Sequence, residues 1–490
     1  MLRRPRPIAI LAALVLPATL ALTACGSKND GEALQVAFIG PPDSPFARGL
    51  RLPAPAQQVR AATAEGLVAL DAQGEVVPAL AERWIVTEDG LSYIFRLRNS
   101  DWRDGQPIAA EEVRDELKRT LRSLSRTSLG LDFAPVSEVR AMTGRVIEVR
   151  LSSPMPDFLQ LLAQPELAVL HKGVGAGPMM LKRDGALAQL SLLPPEARGL
   201  PMREDWRAGT RALAVRALPA AKAVAAFRNA EVDLVLDGRL ADLPRADTGP
   251  LSRGTVRLDA AQGIMGLRVV RADGLLADPK RREALAMAID RDTLLAPFNV
   301  AGWTSSTRLV PAAVAGNAPE RWANLTIEQR RAEARRRIAG FGAGAKATVR
   351  VSLPPGPGSD LLFGQLATNW RQIGVTAVRA REGEPADLEW FDSLARTGAR
   401  PWYLNQFACA VRRTLCSTEA DQLVREAAGE PDPVARLTML AEAEERLTAM
   451  EGFIPLGAPV RWSLVRGDID GFAENRWALH PLLPLALGPT

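Results

Sequence analysis

Apolar and polar residues alternate along the chain with two different periods, which predict strands and helices in turn. Residues 91–97 and Val146–Leu151 alternate apolar with polar side chains, a pattern typical of strands that are buried on one face. Ala110–Leu124 and residues 434–450 instead carry apolar residues at helical spacing, which predicts amphipathic helices. Because strands and helices alternate through most of the chain, the pattern favours an α/β architecture.

The remaining elements are predicted from the same two periods. No internal repeat and no low-complexity tract interrupts them. The predicted strands are 34–39, 212–218, 232–236, 264–270, 347–353 and 375–379. The predicted helices are 57–70, 156–162, 220–229, 279–289, 326–338 and 359–373.

The N-terminus has the features of an export signal. Arg3, Arg4 and Arg6 precede an apolar run over residues 8–22, which is shorter than the roughly 18–20 residues that span a bilayer. We therefore predict a signal peptide over residues 1–24.

A cysteine follows this segment directly. The letters LTAC at residues 22–25 resemble the lipobox of bacterial lipoproteins, in which small residues precede a cysteine. The resemblance implies cleavage after Ala24 and a lipid attached to Cys25, with residues 25–33 as a polar tether. A plain secretory signal followed by an incidental cysteine is the alternative.

Composition and charge narrow the possible functions. The chain has 490 residues, of which 47% are hydrophobic and 24% are charged, as in ordinary globular proteins. The formal net charge of +5 falls to +2 without the three arginines of the predicted signal, so a nucleic-acid partner has no support. With only two histidines and three cysteines, we predict neither a metal site nor a cofactor.

The two cysteines beyond the predicted signal lie close together in the sequence, at Cys409 and Cys416. Outside the cytoplasm, such a pair predicts a disulfide. Two buried free thiols are the alternative. A metal site is less favoured, because no histidine lies nearby in the sequence.

Residues 66–121 carry the most informative motifs. In order, they contain GLV, a D-x-x-G turn, VPALAERW, DG-x-x-Y-x-F-x-LR, W-x-DG and AEEV. This series resembles the signature region of the dipeptide/oligopeptide-type solute-binding proteins of ABC importers, known as solute-binding family 5. Further blocks that resemble the family, in the same order, lie at 146–162, 175–178, 278–292, 366–375 and 434–455. The resemblance therefore covers nearly the whole chain after the predicted signal.

The family resemblance implies an α/β fold of the periplasmic-binding-protein type, class II. Two discontinuous lobes are then joined by hinge strands and close over a solute. Lobe I is expected at 34–262, with an extra subdomain at about 56–144. Lobe II is expected at 263–460, and the chain returns to lobe I over 461–490.

The resemblance also implies a function. The chain is expected to be the lipid-anchored solute-binding component of an ABC importer, capturing a peptide or peptide-like solute in the inter-lobe cleft. Its partners are then the solute, a membrane permease with its ATPase subunits, and the membrane that holds the lipid on Cys25. We expect a monomer without enzymatic activity, in the periplasm or on the extracytoplasmic face of the cell envelope.

One segment departs from the family pattern at a position that bears on the ligand. Peptide binders of the family typically carry an acidic residue in a W-x-x-D-x-x-D-P segment, where it pairs with the α-amino group of the ligand. The corresponding residues 388–409 keep Trp390 and Asp392, but Arg400 and Pro401 replace the acidic pair. An arginine attracts a carboxylate or phosphate rather than an ammonium group.

This departure gives the predicted cleft residues of lobe II. Arg400 would pair with an anionic group, while Trp390, Trp402 and Tyr403 would offer aromatic surface and hydrogen-bond donors. A surface loop packed against the disulfide is the alternative for this segment.

Two further pairs are expected where the chain crosses between the lobes. Gln262 and Met265 lie where a hinge strand enters lobe II, and Arg461 and Trp462 lie where the chain returns. For Arg461, a solvated position on a strand is the alternative to a contact with the ligand.

Three other functions were weighed against import of a peptide. The same fold binding a non-peptide anionic solute, and a non-transporting sensor or chaperone, both fit the sequence. An extracytoplasmic hydrolase is disfavoured, because the sequence contains neither HExxH nor GxSxG and its two histidines, His171 and His480, lie far apart in sequence.

Overall fold

A computed structural model describes residues 33–247, 254–342, 346–411, 415–467 and 469–487. The predicted signal peptide over 1–24, the lipidation site at Cys25 and the predicted tether up to residue 32 lie outside the described residues. In the part of the chain that the structure describes, no helix combines the length and the apolar character that a membrane span requires.

The strands of the described chain are numbered in sequence order. They are Leu34–Ile39 (β1), Val68–Leu70 (β2), Val76–Pro78 (β3), Ala81–Val86 (β4), Ser92–Leu97 (β5), Val136–Met142 (β6), Val146–Leu151 (β7), Leu170–His171 (β8), Val174–Gly175 (β9), Met179–Asp184 (β10), Leu187–Leu192 (β11), Leu213–Leu218 (β12), Leu234–Arg239 (β13), Val256–Asp259 (β14), Gly263–Val269 (β15), Thr348–Ser352 (β16), Thr376–Arg379 (β17), Leu388–Leu394 (β18), Phe453–Gly457 (β19) and Arg461–Val465 (β20).

The α-helices are numbered in the same way. They are Ala54–Thr63 (α1), Ala110–Leu124 (α2), Ser128–Asp132 (α3), Phe158–Leu162 (α4), Ala220–Arg228 (α5), Pro279–Ala288 (α6), Arg291–Leu294 (α7), Ile327–Ala339 (α8), Pro357–Arg371 (α9), Arg400–Asn405 (α10), Thr418–Ala427 (α11), Pro433–Ala449 (α12) and Leu482–Ala486 (α13).

The first sheet draws its strands from both ends of the described chain. Its order is β10-β11-β12-β1-β13-β20-β14, and β1 runs parallel to both β12 and β13. Both faces of β1 and β13 are covered: Ala37 and Val235 pack in one core cluster, while Val36 and Leu234 pack in another with Val59 of α1. Burial on two faces explains why residues 36–38 and 234–236, where these two strands pair, are all apolar.

The second sheet is built only from the middle of the chain. Its order is β17-β16-β18-β15-β19, and β15 pairs antiparallel with β18 along its whole length. Met265 and Leu267 of β15 pack on one face with Leu285 and Trp370 from α6 and α9. The other face, which carries Ile264, packs against helices α10 and α12.

A third, four-stranded sheet forms the extra subdomain. Its order is β4-β5-β7-β6, and Phe95, Ile147 and Val113 are fully buried between this sheet and α2. The predicted helix Ala110–Leu124 is confirmed at both ends. The sheet extends to Leu151, so the subdomain continues past the predicted limit of about residue 144.

The chain passes twice between the first two sheets. It leaves the first sheet after Asp259 and enters the second at Gly263, then leaves the second after Gly457 and re-enters the first at Arg461. This architecture is the predicted two-lobed α/β fold. The lobe bounds 34–262, 263–460 and 461–490 agree with these crossings and stay a prediction.

The predicted helix over residues 57–70 is wrong in its second half. Helix α1 ends at Thr63, Ala64 is extended, and Val68–Leu70 forms a strand. Gly66 lies so close to the Leu162 carbonyl that an added Cβ would be 3.3 Å from its oxygen. The chain leaves the helix because Leu67 and Val68 are buried in the subdomain core, away from the core that α1 covers.

A buried ion pair joins the first two sheets where the chain returns. Arg461, the first residue of β20, donates from Nη1 and Nη2 to the two carboxylate oxygens of Asp392 in β18, at 2.9 and 2.8 Å. Each side chain is only 4% exposed. This excludes the solvated position that was the alternative for Arg461. A bidentate pair of this kind restricts both the distance and the orientation of the two strands.

The predicted disulfide between Cys409 and Cys416 is present, so free thiols are excluded. The backbone N–H of Cys409 also donates to Asp421 in α11 at 2.9 Å. The bridge therefore ties the chain that follows α10 to the start of α11.

Replacing Arg461 by leucine is expected to lower the free energy of unfolding by about 3–5 kcal/mol, because Asp392 keeps a buried charge without its partner. Urea unfolding followed by circular dichroism measures the change. The Arg96→Leu variant, which removes an exposed pair with Glu82 at 2.8 Å, is the control. It should cost less than about 1 kcal/mol. An equally small loss for Arg461→Leu would contradict the role given to the buried pair.

Replacing Cys416 by serine is expected to lower the free energy of unfolding by about 2–3 kcal/mol, because the open chain gains conformational entropy when it unfolds. The melting temperature of the oxidised protein, with and without dithiothreitol, measures this. Reductant should lower the melting temperature of the unaltered protein and leave that of Cys416→Ser unchanged. A reductant effect of equal size in both would refute the assignment.

Candidate functional site

A polar opening between the two sheets is named here the central cleft. It consists of two adjoining cavities of about 210 and 590 Å³. Both cavities are lined by Leu52, Pro53, Ser393, Leu394 and Arg396. The start of α1, which packs against the first sheet, therefore faces the end of β18 of the second sheet across the cleft.

The topology explains why the cleft forms here. Phe38 near the end of β1 and Leu236, Asp237 and Arg239 at the end of β13 line the smaller cavity. The carboxyl ends of parallel strands leave a crevice where the connections diverge, and solutes bind in such crevices in open α/β sheets. The start of α1 faces the same space and adds the positive end of a helix dipole.

Arginines outnumber carboxylates around the central cleft. The described residues that line it include five arginines and three carboxylates, which are Arg51, Arg126, Arg239, Arg396, Arg461, Glu166, Asp237 and Asp392. With Arg461 held by Asp392, the remaining arginines outnumber the remaining acids. The cleft is therefore positively charged.

Two of these arginines have no partner in the described part of the chain. Arg51 precedes α1 and Arg126 follows α2, and both side chains are exposed. Arg239 lies within 3.4 Å of Asp237, whose charge raises the pKa of Arg239. The two unpaired guanidinium groups are thus available to a carboxylate or phosphate of a solute.

Arg396 closes one side of the cleft by pairing with a buried acid. It donates from Nη2 and Nη1 to the two oxygens of Glu166, at 3.0 and 3.2 Å, and also to Gln164. Gln57 of α1 donates to the same Glu166 carboxylate at 3.3 Å. Side chains from α1, from the turn at residues 165–167 and from the segment after β18 therefore meet across the cleft, as expected of a closed arrangement.

A second set of contacts holds the subdomain against the second sheet. Asn405 at the end of α10 donates to Asp132 at the end of α3, at 2.7 Å, and burial raises the pKa of Asp132 to about 7. Thr397 donates to Asp157 at 2.7 Å. These side-chain contacts join parts of the chain more than 200 residues apart.

Trp402 and Tyr403 lie in the core rather than on an open surface. They are 2% and 1% exposed, and their rings pack edge to face at 4.8 Å. Burial raises the pKa of the Tyr403 hydroxyl to about 12. Trp402 contributes to the wall of the larger cavity of the central cleft, whereas Tyr403 does not line it. The segment is the helix α10, not the surface loop that was the alternative.

Arg400 belongs to a different cavity from the central cleft. It is the first residue of α10, and its Nη1 lies 3.4 Å from the carbonyl oxygen of Leu437 in α12. The structure therefore separates Arg400 from Arg461, although both were predicted in one site.

The other predicted residues are divided between the core and the crossings. Met265 is fully buried in β15, and Trp390 is half-buried on β18 against the same core. Trp462 is also fully buried and donates from Nε1 to the carbonyl of Arg239 at 2.9 Å. Gln262 has a buried Oε1 that accepts no hydrogen bond from the described residues.

Sequence reasoning missed four of the five arginines that line the central cleft, and found only Arg461. Arg51, Arg126 and Arg239 lie in separate segments, and nothing in their local sequence distinguishes them from solvated arginines. Arg396 carries a weak signal, because it lies within residues 388–409, the segment that departs from the family motif. Their common location follows from the topology alone.

Among the described residues, no group of His, Cys, Asp or Glu side chains is arranged to hold a metal ion.

Comparison with known proteins identifies the family. Residues 75–394, more than half of the chain, match the family model described as bacterial extracellular solute-binding proteins, family 5, middle. One relative is the "Probable deoxycholate-binding periplasmic protein YgiS" of Escherichia coli, 36% identical over 121 residues. That match covers 21% of this chain and 23% of the relative, so the chain matches under a quarter of that relative's length.

A second relative matches along nearly the whole chain. It is the "Probable di/tripeptide-binding protein 5" of Pseudomonas aeruginosa, 23% identical, and the match covers 84% of this chain and 87% of the relative. The crystal structure of Haemophilus influenzae OppA in complex with RPPGFSPFR is similar in fold, with a TM-score of 0.76 at 18% identity. It covers 93% of this chain and 99% of the OppA chain. The chain belongs to family 5 of the bacterial extracellular solute-binding proteins, which bind solutes and are not enzymes.

Proposed function

We propose that this protein is the lipid-anchored solute-binding component of an ABC importer, and that it captures a peptide or peptide-like solute in the central cleft. The observation that carries the proposal is the position of the cleft, which lies between two sheets linked by two chain crossings and is spanned by the ion pair of Arg396 and Glu166. A solute that contacts both sides of the cleft would favour the closed arrangement. The closed protein would then present the solute to a permease.

The charge of the cleft supports a solute that carries a carboxylate. Arg51 and Arg126 have no counter-ion among the described residues, and each would gain one from the carboxyl end of a peptide. An acid suited to a peptide ammonium group is harder to find, because Glu166 and Asp392 are already paired with arginines. We therefore propose that the carboxylate, rather than the amine, dominates recognition.

The same charge also favours a second candidate, a non-peptide anionic solute. One relative is named for deoxycholate binding, and others for di- and tripeptide binding. A carboxylate is the group that peptides share with organic acids. Testing free peptides against their amides, and against organic acids without an amine, distinguishes the two candidates.

Attachment to the membrane belongs to the same proposal. The lipobox-like residues before Cys25 and the polar residues after it support a protein tethered by lipid outside the cytoplasm, which we propose to be a monomer. A membrane permease with ATPase subunits would then be its partner.

Free peptides are expected to bind more tightly than peptides with an amidated carboxyl terminus. In a library of di- to pentapeptides, a binder at about 100 times its Kd should stabilise the fold by about 2.7 kcal/mol, which raises the melting temperature. Calorimetry on the best binder should give a Kd at least about tenfold lower for the free peptide than for its amide, since a charge-assisted hydrogen bond is lost.

The double variant Arg51→Gln, Arg126→Gln should lose this preference for the free carboxylate. The matched control is Arg48→Gln, an exposed arginine that does not line the cleft. A preference that survives the double variant would overturn the assignment of the two arginines. If only organic acids shift the melting temperature, the peptide proposal fails and the anionic alternative holds.

Replacing Cys25 by serine is expected to abolish acylation and cleavage of the signal, because the cysteine thiol is the group that receives the lipid. Metabolic labelling with a tagged fatty acid, read on a gel, measures both. The Cys416→Ser variant, which keeps Cys25, should label normally. Label on the Cys25→Ser protein would disprove the lipoprotein assignment.

A further inference from the structure

A second cavity, named here the apolar cavity, lies between the subdomain and helices α10 to α12. Its volume is about 350 Å³, within the size range of sites for small organic ligands. Leu131 and Met155 line it from the subdomain side, and Val314, Leu437 and Leu440 line it from the other. Only Ala410 contributes to the walls of both this cavity and the central cleft among the described residues.

Arg400 brings a positive charge to this apolar surface without a counter-ion of its own. Its hydrogen bond to the Leu437 carbonyl is long at 3.4 Å, and its Nε is buried without a partner in the described chain. The nearby carboxylate of Glu444 forms an ion pair with Arg308 at 2.8 Å instead. Burial lowers the pKa of Arg400, which indicates that the charge is poorly solvated.

The other charged residues around the apolar cavity are engaged or exposed. Arg436 donates to the backbone carbonyls of Pro154, Glu430 and Pro431. Asp421 accepts from the N–H of Cys409, and Arg425 is exposed. Arg400 is therefore the cation in this wall that most needs an anionic partner.

A second polar group in the wall also lacks a partner. Asp132 is 3% exposed, and its Oδ1 accepts from Asn405, while its Oδ2 has no partner among the described residues. Unpartnered buried polar atoms are uncommon in folded proteins, so this oxygen is a second polar position in the wall where a group of an occupant can bind. Burial raises the pKa of Asp132 to about 7, so near neutral pH the carboxyl is partly protonated and its charge repels an anion less.

We propose that the apolar cavity is a binding site for an amphipathic organic carboxylate, whose anionic group pairs with Arg400 and whose hydrocarbon part is covered by the walls of Leu131, Met155 and Leu440. Burial of the hydrocarbon supplies the affinity, and the unpaired guanidinium supplies selectivity for a carboxylate. The site is distinct from the central cleft and does not require a peptide to be bound there.

The test uses sodium dodecanoate as the probe, below its critical micelle concentration, with the folded mature protein. Calorimetry should show one bound dodecanoate per chain. Dodecyltrimethylammonium, which has the same chain and the opposite charge, should bind at least about tenfold more weakly. The Arg400→Gln variant should raise the Kd for dodecanoate by about 10- to 100-fold, because a charged hydrogen-bond partner is lost.

Two further variants separate a binding effect from a folding effect. Leu437→Glu places a carboxylate at the rim of the cavity on a side chain that is 55% exposed, so the fold should tolerate it while dodecanoate is repelled. Arg446→Gln changes an exposed arginine of α12 that does not line the cavity, and should leave the Kd unchanged. Melting temperatures of all variants verify that they are folded.

The proposal is overturned if dodecanoate does not bind, if the two probes bind alike, or if folded Arg400→Gln binds dodecanoate as the unaltered protein does. Its failure is distinguishable from that of peptide import. The Arg51→Gln, Arg126→Gln variant should bind dodecanoate normally, while Arg400→Gln should keep its affinity for peptides. Loss of dodecanoate binding in the former variant would assign the probe to the central cleft instead.

Discussion

The buried ion pair between Arg461 and Asp392 is the interaction on which the arrangement of the two sheets depends. The chain crosses between the sheets twice, through a few residues each time, and such short crossings do not by themselves determine how the sheets face each other. Arg461 is paired in register with Arg239 and Asp259 of the first sheet, and its guanidinium reaches Asp392 in the second. Both side chains are buried, so separating them would leave two poorly solvated charges.

That pair also decides which charges remain for a solute. Arg461 and Asp392 neutralise each other, and Arg396 and Glu166 do the same across the cleft. The arginines that remain unpaired are those at the ends of helices and loops, where they are solvated until a solute arrives. The charges of this protein therefore divide into pairs that hold the structure together and single charges that are available to a ligand. Arg400 is a single charge of the second kind, but it lies against an apolar wall.

The elements that were predicted well are those whose pattern is local. Ala110–Leu124 is confirmed at both ends because its buried residues recur at helical spacing and a single sheet covers them. Thr326 caps α8 with its side chain, as the sequence at the start of that predicted helix allows. The prediction of one helix over 57–70 is wrong because the apolar residues of this segment pack in two different cores. The spacing of apolar residues along the chain does not show which core each of them joins.

By itself, the sequence determined the alternation of strands and helices, the paired cysteines and, through the order of its motifs, the family. These properties are local, or are sums of local properties along the chain. Only the tertiary structure decided which arginines meet in the central cleft, that Trp402 and Tyr403 belong to the core, and that Arg400 faces a different cavity. The physical reason is that the sequence around a charged residue is the same whether its side chain is paired, solvated or free to bind a ligand. Its role depends on what the fold brings within a few ångströms of it, and those groups come from hundreds of residues away.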